Sequence, residues 1–151
     1  MDRIAMQAAL DEISDQGLIS HGFVDYIRDY EIRILAVADP ITGVPPTDVR
    51  WLFKYCVQAE VTSTLSGEGW RASLDDRLLD PTWAYPHDAY VWGARWQTLW
   101  LARLIAESPR AKTWAEKVGF DIHEAQVIGS GHDITLFFND LEVTEVPRPA
   151  A

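Results

Sequence analysis

Residues 50–62 read RWLFKYCVQAEVT, in which Trp51, Phe53, Tyr55, Val57, Ala59 and Val61 alternate with Lys54, Cys56, Gln58, Glu60 and Thr62. Strict alternation of this kind places one set on each face of a β-strand. Upstream, Tyr30, Ile32, Ile34 and Ala36 alternate with Glu31, Arg33 and Leu35 until the run stops at Asp39-Pro40, which predicts a second strand. The intervening ITGVPPT carries Gly43, Pro45 and Pro46, residues unsuited to a strand interior, so the two strands are expected to pair as a long hairpin around a loop. A second hairpin is predicted where IHEAQVI and ITLFFNDLEV flank GSGHD, with Leu136 and Phe138 on one face and Phe137 on the other.

Two stretches carry the helical period instead. Met6, Ala9, Leu10 and Ile13 predict a helix over residues 3–15, with Asp2 as N-cap and Gly17 as the residue that closes it. Ser108-Pro109 is a helix start, and Ala111, Trp114, Ala115 and Val118 form an apolar stripe that Gly119 ends. Residues 65–89 show no sustained period and read as an irregular excursion, with a short helical turn around SLDDRLL. In DAYVWGARWQTLW, residues 88–100, Trp92, Trp96 and Trp100 fall four apart. A strand through about Gln97 puts Tyr90, Trp92, Ala94 and Trp96 on one face, with Trp92 and Trp96 as core; from Thr98 onward TLWLARLIAES suits strand or helix alike.

These elements predict an α+β fold: a mainly antiparallel sheet of about five strands with two or three helices packed on one face. The expected organisation is an N-terminal helix in residues 1–17, one α+β domain over 18–145 and a frayed, proline-broken tail at 146–151. A length of 151 residues suits one core, and 48% apolar residues supply it.

Charge narrows the function classes. Against 13 basic residues stand 23 acidic ones, a formal net charge of −10, which argues against a nucleic-acid binder and allows steering of basic partners. The sole cysteine, Cys56, excludes an internal disulfide. The acidic start MDRIAMQAALDEISDQG is the reverse of a signal peptide, and no apolar run is long enough to cross a membrane, so the cytoplasm is the expected location.

Candidate chemistry is sparse. His21, His87, His123 and His132 lack ligand spacing, and no metal or cofactor is expected. Cys56 reads as a packed thiol in a strand, and no catalytic triad or phosphate loop is marked out. The feature that stands out is SLDDRLLD, whose Asp75, Asp76 and Asp80 lie beside Trp70, Trp83 and Tyr85. Those carboxylates could pair with Arg71 and Arg77, hold a hard cation or meet a basic partner. Acids beside aromatic anchors resemble an interface, so Asp75, Asp76, Asp80, Trp83 and Tyr85 are the candidate partner-binding residues. An alternative is a small-molecule binder or enzyme with a ring-lined pocket around Trp83, Trp92 and Trp96.

In order along the chain, VDYIRDYEIRI, FKYCVQAEV, SLDDRLLD, YVWGARWQ and HEAQVIGSGHDITLFFNDLEV resemble the bacterial YxiG-like domain proteins, over about residues 21–143. No catalytic role attaches to these motifs. The family's namesake lies among genes of a contact-dependent toxin system, so the resemblance implies an immunity-type or other protein-binding role. The expected function is therefore a non-enzymatic, acidic interaction protein that neutralises a basic protein partner.

Overall fold

Tyr30, Ile32 and Ile34 are almost completely buried, as are Trp51 and Phe53. They lie on neighbouring antiparallel strands, with Tyr30 opposite Phe53 and Ile32 opposite Trp51. The predicted hairpin thus forms, and its inward face is the one that the alternation of two specified. The computed structural model describes residues 1–12, 16–36, 47–73 and 97–146. Among them are α1 (Arg3–Asp11), β1 (Gln16–Val24), β2 (Asp29–Ala36), β3 (Thr47–Lys54), β4 (Gln58–Ser63), α2 (Gly67–Ser73), β5 (Gln97–Leu104), α3 (Pro109–Val118), β6 (His123–Gly129), β7 (His132–Phe138) and β8 (Asp140–Val146).

The strands make one eight-stranded antiparallel sheet in the order β4-β7-β6-β5-β1-β2-β3-β8. This corrects the expected α+β fold of about five strands with helices on one face: among the described residues one large sheet dominates, and the helices are short. Two long runs that read as single strands each bend into two. Tyr55 takes a left-handed φ of 49° and turns outward, and buried Cys56 takes the inward place. Cys56 N–H donates to Arg28 O at 2.8 Å and Val57 N–H to Phe137 O at 2.8 Å, so the ladder survives the bend. Opposite, Asn139 separates β7 from β8 and donates its N–H to Lys54 O at 2.9 Å.

Because both runs bend at the same level, β3 pairs with β8 while β4 pairs with β7. Because β3 continues along the chain into β4, the ladder returns on itself, from β2 through the β3–β4 run to β7, β6, β5, β1 and back to β2. Such closure gives the sheet one interior. Leu18, Ile32, Phe53, Leu99, Ala125, Leu136, Phe138 and Leu141 all belong to the same buried cluster.

Strands β1 and β5 also escape a simple alternation. In β5 the register shifts between Leu99 and Leu101, so Leu99 and Ala102 point inward while Trp100 and Leu101 face out. In β1 the shift lies between Leu18 and Ser20. A bulge inserts a residue and turns a spacing of two into one of three, which a pattern of residues cannot tell from a helix. Residues 97–104 are strand, and Trp100 is half exposed on their outer side.

Helix α1 completes the core with Met6 and Leu10. Asp2 caps it as expected, accepting Ala5 N–H at 2.8 Å, but it ends at Asp11 with Glu12 as C-cap; Gly17 belongs to β1 and does not close the helix. Gln7 Oε1 accepts Leu104 N–H at 2.8 Å, and Arg3 donates to Ile105 O at 2.9 Å, fastening α1 to β5. Helix α3 lies on the outer side, where Ala111 packs with Ile122 and with Phe137, the ring predicted to oppose Leu136 and Phe138. Ser108 Oγ accepts Ala111 N–H at 3.1 Å and donates to Glu124 at 2.6 Å, and Gly119 closes the helix at φ 81°.

Candidate functional site

The β1–β2 hairpin turns through Asp25, Tyr26, Ile27 and Arg28, a segment without glycine. Its first three residues have φ of 53°, 62° and 63°. Left-handed backbone costs about 1–2 kcal/mol per residue for side chains with a Cβ, and for a bulky or β-branched residue it is an outlier. Tyr26 is fully exposed and Ile27 is 75% exposed, so apolar burial does not offset that cost.

Beside the turn stands the other strained residue of this end, Tyr55, on the β3–β4 bend. Its ring lies 6.0 Å from that of Phe120, with the Arg28 guanidinium 5.0 Å above it. Tyr55 and Phe120 are each 43% exposed. One carboxylate holds these pieces together. Asp29 is fully buried; its Oδ1 accepts Tyr55 N–H at 2.9 Å, and Lys54 Nζ sits 3.1 Å from Oδ2. Arg28 Nε is 3.4 Å away. Burial alone pushes Asp29 up, but the Tyr55 amide, Lys54 and Arg28 outweigh it and hold it below the usual carboxylate range.

A second constellation lies inside the closed sheet. His21 and His132 are 111 positions apart in sequence, yet His21 Nε2 and His132 Nδ1 are 3.1 Å apart. His21 Nδ1 lies 2.6 Å from the Tyr30 hydroxyl, and the Trp70 ring of α2 is 6.1 Å from that of His132. Burial, then the neighbouring His132, lowers His21 below the usual histidine value, and burial pushes the Tyr30 phenol up to about 12. Burial also pushes the Cys56 thiol up to about 11, and its Sγ donates to Gln58 O at 3.3 Å, the environment of a packed thiol.

The sequence profile of the YxiG-like protein family matches residues 2–151. The chain belongs to the YxiG-like protein family. The match takes in α1, which lies outside the stretch where the sequence motifs resemble the family. No curated protein matches the chain.

For this YxiG-like protein, the residues expected to bind a partner, Asp75, Asp76, Asp80, Trp83 and Tyr85, and the pocket residues Trp92 and Trp96, lie outside the described residues. Of that neighbourhood, the structure describes Trp70 on α2 and Trp100 on β5. Sequence reasoning missed both constellations. The turn DYIR carries no residue that advertises a left-handed backbone except Asp25. The histidines become neighbours only through the sheet. Among the described residues, no helix is long and apolar enough to cross a membrane.

Proposed function

We propose that this YxiG-like protein is a non-enzymatic binding protein of immunity or antitoxin type, which engages a basic protein partner in a bacterial cytoplasm. The observation that carries this reading is the β1–β2 turn: Tyr26, fully exposed, and Ile27, largely so, project into solvent from a backbone that costs stability to maintain. Strained positions persist where the surrounding structure over-determines them, and they cluster at functional sites. An exposed tyrosine and a branched apolar side chain, with the half-exposed rings of Tyr55 and Phe120 at the same end of the sheet, have the composition of an interface hot spot. The net charge of −10 supplies the basic character of the partner, because long-range attraction speeds encounter and weakens with salt. Asp75, Asp76 and Asp80 remain the acids proposed to meet that partner's rim.

The test is capture from the host cell's lysate by the wild type and by two variants, Tyr26→Ala with Ile27→Ala, and Asp75→Asn with Asp76→Asn and Asp80→Asn. Loss of a hot-spot pair at about 2 kcal/mol per residue weakens a specific partner by roughly 1000-fold. The triple variant slows association and flattens its salt dependence. A partner held equally by the wild type and both variants overturns the reading.

A further inference from the structure

The strained turn does not include the histidine pair inside the sheet. His21 lies opposite Ile32 and His132 is two residues from Ile134; both isoleucines are completely buried, so the alternation of their strands turns both imidazoles inward. Strands β1 and β7 are not neighbours, since β5 and β6 lie between them, and the contact therefore bridges the interior. Two facing imidazole nitrogens repel through their lone pairs unless a proton or a cation stands between them. A tetrahedral divalent ion with metal–nitrogen bonds of about 2.0–2.1 Å sets its two ligand nitrogens about 3.4 Å apart. The observed 3.1 Å is within a few tenths of that separation.

From this geometry we infer that His21 Nε2 and His132 Nδ1 form a chelating pair for a borderline divalent cation of the Zn²⁺, Ni²⁺ and Cu²⁺ class. Imidazole nitrogen suits these ions, whereas Mg²⁺ and Ca²⁺ take oxygen donors. Tyr30 is the positioning residue. In the chelating tautomer its hydroxyl, 2.6 Å from His21 Nδ1, accepts that ring's N–H and the Nε2 lone pair faces His132. Among the described residues no third histidine, thiolate or carboxylate joins the pair, and water is the simplest donor to complete the coordination. Trp70, 6.1 Å from the His132 ring, reports on occupancy, because a paramagnetic ion at the pair quenches its emission.

The experiment is titration of chelator-treated full-length protein at pH 7.5, with Zn²⁺ by calorimetry and with Cu²⁺ by tryptophan emission. One Zn²⁺ per chain is expected. His132→Ala lowers affinity by more than about 100-fold, and Tyr30→Phe by about 10-fold with the same stoichiometry. His123→Ala leaves binding unchanged, and Trp70→Phe removes the largest part of the Cu²⁺ quenching. Circular dichroism confirms folding of each variant, and His132→Gln replaces any alanine variant that fails to fold. Binding that is unaltered in His132→Ala and His132→Gln, or no saturation at about 1 mM Zn²⁺ where ordinary hydrogen-bonded histidines would show none, overturns the inference.

Discussion

Two hairpin turns of this protein solve the same problem in opposite ways. The β6–β7 turn runs through Gly129, Ser130 and Gly131, all buried. It is knitted to its neighbours: Ser130 N–H donates to Thr98 O at 2.8 Å, Thr64 N–H to Gly131 O at 2.9 Å, and Thr98 N–H to Ser130 Oγ at 3.0 Å. The β1–β2 turn has no glycine, places three residues in left-handed backbone and exposes Tyr26 and Ile27. Where the chain passes beneath other strands, small residues and satisfied backbone groups are required. Where it projects into solvent, the sequence accepts strain and displays apolar side chains, which folding alone does not demand.

The largest expected effect comes from the carboxylate beneath the strained turn. Asp29→Ala leaves the Tyr55 amide without its acceptor and Lys54 and Arg28 without their counterion, costing roughly 2–3 kcal/mol in urea unfolding. Since Asp29 is held below its unfolded value near 3.9, its contribution is complete above that pH and disappears as pH falls through the lower folded value. Asp29→Asn should accordingly flatten the acid limb of the stability profile; an unchanged limb would show that the turn is held by something else.

Gly129→Ala breaks the other turn. An added Cβ meets His132 O at 3.2 Å and Thr98 O at 3.4 Å, both backbone atoms that yield little, so a loss of about 1–2 kcal/mol is expected from thermal unfolding. At the exposed turn the sign reverses. Ile27→Gly relieves a β-branched residue at φ 63° and should stabilise the fold by about 1 kcal/mol while weakening the partner. Equal destabilisation of both turns by their substitutions would erase the contrast between them.

The smallest effect concerns pH within the interior. The folded value of His21 is lowered, so the fold favours the neutral ring. That contribution is intact above the unfolded value near 6.5 and shrinks as pH falls toward the folded one. The loss of stability between pH 7.5 and 5.5, read from urea unfolding, should be smaller in His21→Gln than in the wild type.

Much of the interior was legible because one face of a regular strand must be apolar. Ile32, Ile34, Trp51, Phe53, Leu136 and Phe138 are buried as their alternation predicts, and Ser108, Pro109 and Gly119 bracket α3 through purely local capping. The bends and bulges were not legible. Tyr55 and Cys56 exchange faces because an extra residue is absorbed at the bend, and Leu99 and Ala102 share a face across a register shift. The partner-binding and pocket residues chosen from the sequence fall in residues 74–96, outside the described residues.

What the sequence determined by itself was therefore local: which residues alternate, where two helices begin, and a net charge of −10 that biases any partner toward basic surfaces. Only the tertiary structure decided that the eight described strands close around one interior, that His21 meets His132 across it, and that Asp29 anchors a turn of exposed Tyr26 and Ile27. The reason is physical. Periodicity and capping act within a few residues, whereas closure, register shifts and contacts 111 positions apart depend on which strands become neighbours.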